Sequence, residues 1–296
     1  MEETVVLILL VFVMLVGSYM AGSIPLIMSM SEEKLQQFSV FGAGLLVGTA
    51  LAVIIPEGVR SLDSAVDNHV QSPEITNGVS AAVSHGEDHR SEAHSVIGIS
   101  LVLGFVFMLL VDQCSASRAR DLEGGLERNY TATLGLIVHA AADGVALGAA
   151  ATTAHADVEM IVFLAIMLHK APAAFGLVTF LMHEGLDRNS IRRQLMAFSV
   201  SAPLLALVTY FCIGQEGKET LSTINATGIA MLFSAGTFLY VATVHVLPEL
   251  TSRIGHSHGA PLSGDVAERK GLRPCELFSL ILGTLLPLLL TVGHHH

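Results

Sequence analysis

Long apolar stretches separated by shorter polar ones are the main pattern along this chain. There are eight of them, and most approach the roughly 20 residues with which a helix crosses a bilayer core of about 30 Å. They cover residues 5–30, 38–56, 96–113, 132–154, 158–182, 195–213, 227–247 and 277–292. The pattern predicts an all-α polytopic membrane protein, with eight transmembrane helices in a single domain over residues 1–296.

Composition supports a membrane location. Of the 296 residues, 52% are hydrophobic and 14% are charged, whereas soluble domains carry about 25% charged residues. The first stretch does not resemble a cleaved signal peptide, because Glu2 and Glu3 precede it, no Lys or Arg does, and its apolar run is too long. The three scattered cysteines do not indicate a disulfide framework.

Positive charges favour one orientation in the membrane. If the N terminus lies outside, the outside loops hold three cations, namely Arg60, Arg90 and Lys218. The inside loops then hold eleven, namely Lys34, Arg118, Arg120, Arg128, Arg188, Arg192, Arg193, Arg253, Arg269, Lys270 and Arg273. Since cytoplasmic loops carry the excess of Lys and Arg, both termini are predicted to be extracellular or lumenal. Residues 61–94 then form a histidine-bearing outside loop, and residues 251–273 form a cytosolic loop.

Two parts of the chain share a spacing that predicts an internal repeat. The second stretch has an Ala-Gly pair at 43–44 and a Pro-Glu pair thirteen residues later, and the seventh has the same pairs at 235–236 and 248–249. Because these two stretches run in opposite directions, stretches 1–3 and 6–8 are predicted to be inverted repeats around stretches 4 and 5, a 3+2+3 arrangement. Inverted repeats are typical of secondary transporters. The alternative is a coincidence of common residue pairs.

Ionisable residues lie in the middle of the fourth and fifth stretches. His139 and Asp143 are four residues apart, which places them on one helix face, and His169 and Lys170 lie equally deep in the next stretch. A charge at this depth costs roughly 2.5–3.5 kcal/mol even on the lenient insertion scale, so such residues are functional by default. Imidazole and carboxylate are usual zinc ligands. We therefore predict that His139, Asp143 and His169 bind one zinc ion in an open site.

A packing role is the alternative for these residues. Both histidines would then be neutral and hydrogen-bonded, and Asp143 would pair with Lys170. Metal binding is favoured because two intramembrane histidines and an aspartate occur together, among small residues that let helices approach closely.

The sequences around these residues resemble a known family. "HAAADG" (His139–Gly144) followed by "HKAPAA" (His169–Ala174) resembles the fourth- and fifth-helix signature of the ZIP (Zrt/Irt-like) zinc transporters, and the resemblance covers nearly the whole chain. It implies import of a divalent metal toward the cytosol, with zinc as the transported substrate and no organic cofactor. It also implies a homodimer and an elevator-like motion of helices 1, 4, 5 and 6 against 2, 3, 7 and 8. We expect a location in the plasma membrane or the Golgi.

At four positions the chain departs from the commoner family pattern. Many members have Asn where Ala140 stands, an acidic residue where Lys170 stands, Glu or His where Ala173 stands, and an acidic residue where Ala202 stands. These departures remove the residues that would bind a second metal. The resemblance therefore carries over the three predicted ligands but not a binuclear centre.

Further residues are candidates for the transport pathway. The resemblance places His245 on that pathway, although a polar residue near a cytosolic helix end would look the same. Glu57 and Glu249 each follow a proline at opposite membrane faces, and either take up and release the ion or merely cap helix ends. Lys170 lies beside the predicted site. Asn225, in an outside Asn-Ala-Thr sequence, is a candidate for glycosylation.

Two other classes of function are considered. An intramembrane metalloprotease would need a general-base Glu in an H-E-x-x-H arrangement, and residue 140 is alanine, so the chain is not expected to be an enzyme. One branch of the resembled family has been proposed as a membrane receptor for a steroid (androgen) that signals through G proteins, alone or in addition to transport. No residue here indicates a steroid pocket, and a nucleic-acid partner is not expected.

Overall fold

Regular structure in the described part of the chain is helical. The computed structural model describes residues 2–28, 31–70, 82–120, 127–152, 156–212, 226–248 and 273–292. The α-helices are α1 (Glu2–Ile27), α2 (Glu32–Thr49), α3 (Ile55–Val70), α4 (Ala82–Arg120), α5 (Glu127–Ala150), α6 (Ala156–His183), α7 (Arg188–Cys212), α8 (Ala226–Tyr240) and α9 (Pro274–Val292). Two π-helical segments, Ala50–Ile54 and Val241–Val246, join α2 to α3 and extend α8. The predicted all-α fold is confirmed.

Seven helical stretches in the described ranges are long and apolar enough to cross a membrane. They are Thr4–Ile27, Glu33–Leu62, His94–Cys114, Ala132–Ala150, Glu159–His183, Arg188–Cys212 and Ala226–Val246. The eighth predicted crossing corresponds to Pro274–Leu289, which is a shorter apolar helix. Apolar side chains such as Phe12, Val102 and Leu289 are exposed on the outside of the bundle. A polytopic helical membrane protein accounts for all of these features.

The helices extend further than hydropathy predicted. α3 continues to Val70 and α4 begins at Ala82, so residues 61–70 and 82–94 of the predicted outside loop are helical instead. Hydropathy marks only the part of a helix that lies in the bilayer core, and a helix can continue beyond it with polar residues. Apart from Arg273, the predicted cytosolic loop 251–273 lies outside the described residues, as do Asn225 and Glu249.

The helices form two groups that pack against each other. In the first group α1, α5, α6 and α7 contact one another, and in the second α2 contacts α9 while α8 contacts α3 and α4. The main contacts between the groups are those of α2 with α6 and of α5 with α8. The predicted ligands lie on α5 and α6, which are the two helices of the first group that face the second.

The two halves predicted to be repeats make matching contacts. Gly44 of α2 faces the carbonyl of Leu280 in α9, and Gly236 of α8 faces the carbonyl of Leu101 in α4. A Cβ atom at either glycine would collide with the backbone of the facing helix, so both positions require a residue without a side chain. In both halves a π-helical segment begins five or six residues after that glycine. Each half therefore combines the same glycine contact with the same change of helix type.

Candidate metal centre

The three predicted ligands meet inside the bundle. His139 and Asp143 lie one turn apart on α5, and His169 faces them from α6. All three are buried, with between 1% and 3% of their surface exposed. One ligand atom of each lies within 4.8 Å of the other two. Three donors of the kinds that zinc prefers therefore converge on one point.

Asp143 occupies the centre of this group. Its Oδ2 lies 3.0 Å from His169 Nε2 and 3.3 Å from His139 Nε2. Two ligand atoms that are each about 2.0–2.1 Å from a tetrahedral zinc ion lie about 3.3 Å from each other. The 3.3 Å separation matches this value, whereas the 3.0 Å separation is that of a hydrogen bond between His169 and Asp143.

Ser234 of α8 bonds to two members of this group, His139 and Asp143. Its Oγ donates to Asp143 Oδ1 at 2.5 Å and lies 2.8 Å from His139 Nδ1, and its carbonyl oxygen lies 3.1 Å from the same nitrogen. Sequence reasoning does not single out this residue, because serine hydroxyls in helices often bond to the preceding turn of their own backbone. Only the packing of α8 against α5 brings it to the ligands.

Lys170 lies beside the site with a different partner from the one suggested by the sequence. Its Nζ donates to the carbonyl of Phe198 at 3.4 Å and lies 4.3 Å from the centroid of the Phe198 ring. The ion pairs described for Asp143 are those with the two histidines, so direct pairing with Lys170 is not formed. Lys170 is 1% exposed, so its side chain is buried in the interior of the helix bundle.

Alanines occupy the other positions at which the chain departs from the family pattern. Ala140, Ala173 and Ala202 are all fully buried, and the backbone of Ala202 packs on Gly144, next to Asp143. Methyl groups provide no metal ligand. Within the described residues, the cluster that can hold a metal therefore consists of the one carboxylate and the two imidazoles.

His245 belongs to a separate polar group, near the C-terminal ends of α4 and of the Val241–Val246 segment. Its Nε2 lies 3.2 Å from Asp112 Oδ1, and the Tyr240 hydroxyl donates to Asp112 Oδ2 at 2.8 Å. The side chains of His245 and Asp112 are partly exposed. Asp112 was not a candidate from the sequence, because a carboxylate there is also typical of a helix leaving the membrane. The structure therefore gives His245 an acidic partner of its own.

Glu57 lies on the rim of a cleft between α6 and the Ala50–Ile54 segment. It is in the first turn of α3 and pairs with Arg60 at 3.4 Å. The cleft has a volume of about 520 Å³, and its lining reaches Met167 and Leu168. These two residues directly precede His169. The cleft thus runs from Glu57 to the part of α6 that carries a predicted ligand.

Known proteins resemble the chain over nearly all of its length. A family model described as "ZIP Zinc transporter" matches residues 4–122 and 115–291. The chain is 55% identical over 309 residues to zinc transporter ZIP9-B of Xenopus laevis, with 100% of both chains covered, and 55% identical over 306 residues to zinc transporter ZIP9 of Micropogonias undulatus, with 97% of each covered. It is 26% identical over 247 residues to zinc transporter ZIP2 of Homo sapiens, with 74% of this chain and 78% of that protein covered.

Proposed function

The chain belongs to the ZIP zinc transporter family, a family of transporters and not of enzymes, and on that premise we propose that it carries zinc into the cytosol through one site made by His139, Asp143 and His169. The observation that carries this proposal is the convergence of these three side chains in the interior of the bundle. An open shell of three protein ligands suits a carrier, because a carrier must release its ion on the other side of the membrane.

The hydrogen bonds around His139 support a bound cation. Ser234 uses its one hydroxyl proton on Asp143 Oδ1, so the Nδ1 of His139 is the donor toward Ser234. The Nε2 of a neutral imidazole is then an acceptor, and it faces the carboxylate of Asp143 at 3.3 Å. Two buried acceptors that face each other are unfavourable. A zinc ion between them would bind both lone pairs.

One zinc ion per protomer is the expected stoichiometry. A second ion would need further donors near the first, and the family positions for them hold Ala140, Ala173 and Ala202, which are buried here. The fourth position holds Lys170, whose ammonium group cannot bind zinc while protonated and repels a second cation. The charge of Lys170 therefore takes the place of the second ion.

Alternating access by an elevator-like motion is the mechanism we favour. The first group of helices (α1, α5, α6 and α7) carries all three ligands, and the second (α2, α3, α4, α8 and α9) would remain fixed. The matching glycine contacts of Gly44 and Gly236 support the 3+2+3 inverted repeat, in which α9 is the eighth crossing. On this pathway Glu57 would receive the ion at the cleft, and His245 and Glu249 would lie on the release side.

The direction of transport, toward the cytosol, rests on the family resemblance, whereas the predicted orientation, with both termini extracellular or lumenal, rests on the distribution of Lys and Arg. An epitope placed after His296 should bind antibody on intact cells that have the protein at their surface. Binding only after permeabilisation, with surface protein verified independently, would overturn this orientation. The homodimer and the plasma-membrane or Golgi location are further proposals, which rest on the family resemblance.

Zinc uptake by proteoliposomes that contain only this protein tests the proposed function. We expect zinc to enter down its gradient with wild-type protein and to stay outside with Asp143→Ala protein reconstituted in the same amount. Lack of uptake by folded wild-type protein would refute the transport proposal. Specific binding of an androgen by that non-transporting protein would instead favour the receptor alternative.

A further inference from the structure

Ser234 connects the ligand-bearing helix α5 to a helix of the other group. It lies on α8 and is fully buried. Its hydroxyl and its carbonyl both contact residues that we propose as ligands, at 2.5 Å to Asp143 Oδ1 and at 2.8 and 3.1 Å to His139 Nδ1. A single residue outside α5 and α6 therefore bonds to two members of the site.

These bonds determine how His139 can act. The carbonyl of Ser234 can only accept, and its hydroxyl proton is used on Asp143, so the Nδ1 of His139 carries the proton in a neutral ring. The lone pair then lies on Nε2, which is the nitrogen that faces Asp143 Oδ2. The contact thus presents to the site the nitrogen that can bind a metal.

The bonds also determine how Asp143 can act. Because Oδ1 accepts the Ser234 hydroxyl, Oδ2 is left to face both imidazoles at 3.0 and 3.3 Å. Rotation of the carboxylate would break its bond to Ser234. One oxygen is consequently reserved for positioning and the other for the ion.

His169 lacks a support of this kind. Its Nε2 lies 3.0 Å from Asp143 Oδ2, while its Nδ1 is buried and has no hydrogen-bond partner among the described residues. In metal sites a ligating histidine almost always donates its other N–H to a fixed acceptor, and losing that acceptor typically costs about 10–100-fold in affinity. Of the two histidines, only His139 has such an acceptor among the described residues.

From this geometry we infer that Ser234 is the positioning residue of the site: it fixes His139 and Asp143 as a prepared pair of zinc ligands, which His169 then completes. The inference rests on the proposed function. Because Ser234 belongs to α8 and the pair belongs to α5, the pair keeps this support only while the two helices remain in contact. Zinc affinity is therefore tied to the α5–α8 contact.

The test compares Ser234→Ala with a matched control, Ser199→Ala. Ser199 is also fully buried, but its hydroxyl has no hydrogen-bond partner among the described residues. We expect Ser234→Ala to raise the Kd for zinc in detergent and the KM for zinc uptake by about 10–100-fold, with a Vmax close to that of the wild type. Ser199→Ala should leave the Kd and the KM within about twofold of the wild type.

Two further measurements separate positioning from packing. Ser234→Thr keeps the hydroxyl and should recover much of the lost affinity, whereas Ser234→Val, which has the shape of the threonine variant without its hydroxyl, should not. The absorption spectrum of bound Co²⁺ should change in Ser234→Ala and Ser234→Val, because it reports on the ligands themselves. If Ser234→Ala does not fold, the Thr and Val variants make the same comparison.

The outcomes distinguish this inference from the proposed function. If wild-type protein moves zinc and Ser234→Ala has an unchanged Kd and KM, the inference is wrong and the transport proposal stands. An equal loss of affinity in Ser234→Ala and Ser199→Ala would also overturn it, since packing alone would then explain the effect. If wild-type protein neither binds nor moves zinc, the proposed function itself fails.

Discussion

The α5–α8 interface and the α2–α6 interface join the same two groups of helices with different chemistry. At the first, Ser234 bonds to His139 and Asp143, and the His139 ring lies 4.4 Å from the Phe238 ring, centroid to centroid. At the second, Gly42 packs on the Gly176 backbone. The first contact is directional and the second depends on the absence of side chains.

The predicted repeat relates one residue of each interface to the other. Gly42 and Ser234 each lie two residues before the matched glycines at 44 and 236, so they occupy equivalent positions in the two halves. Around Gly42 the Thr179 hydroxyl bonds to carbonyls of its own helix, and the rings of Phe38 and Phe175 lie 6.3 Å apart. The two positions therefore differ in chemistry: one holds the serine that we propose as the positioning residue, and the other holds a glycine in close contact with a neighbouring helix.

We expect the largest effect on zinc uptake from removing the central carboxylate at the α5–α8 interface. Asp143 is the one proposed ligand that contacts both histidines and Ser234. We expect Asp143→Ala to reduce zinc uptake by more than the roughly 100-fold upper range of an outer-shell change, measured as initial rates in proteoliposomes. Asp187→Ala, which removes a carboxylate from the exposed turn before α7, is the control. Wild-type kinetics in Asp143→Ala would exclude the proposed site.

Adding one methyl group at Gly42 should disrupt the packing of α2 against α6. A Cβ at Gly42 would lie 2.7 Å from Thr179 Oγ1 and 3.2 Å from Gly176 Cα. We expect Gly42→Ala to destabilise the protein by about 1–3 kcal/mol through overpacking, seen as a lower Tm and a reduced Vmax with little change in the Kd for zinc. Gly98→Ala is the matched control, because a Cβ there meets nothing within 4 Å. Equal Tm values for the two variants would contradict the importance of this contact.

Changing the charge of Lys170 tests whether the site holds one ion. We expect one bound zinc per protomer in the wild type. We expect Lys170→Glu to raise the affinity for zinc by roughly tenfold, or about 1.4 kcal/mol, because it replaces a repelling charge by an attracting one, and to slow turnover because release becomes harder. Zinc stoichiometry and steady-state uptake measure both effects, with Lys170→Met as the control that removes charge alone. Two zinc ions in the wild-type site would contradict the prediction.

The smallest effect is expected away from both interfaces, at His245. Its partner is Asp112, whose Oδ1 lies 3.2 Å from His245 Nε2. Uptake should fall less than the tenfold or more expected at the site, because His245 does not touch the proposed ligands. A loss of uptake as large as that of Asp143→Ala would place His245 in the site itself.

The sequence by itself determined the class of fold and the location of the ionisable residues. Apolar stretches of membrane length predict helices because the backbone must satisfy its own hydrogen bonds in lipid. The spacing of His139 and Asp143 places both on one face of any α-helix. That the three proposed ligands bind zinc stays a prediction, although the structure brings them together.

Only the tertiary structure decided which groups those residues meet. Ser234 lies 91 residues from Asp143 in the chain, and Lys170 lies 28 residues from Phe198, so neither contact follows from helix periodicity. The sequence suggested Asp143 as the partner of Lys170 because opposite charges attract, yet the packing of α6 against α7 places its ammonium group on the Phe198 carbonyl. Helix propensity and hydropathy act within one segment, whereas the partners of buried polar groups depend on which helix faces pack together.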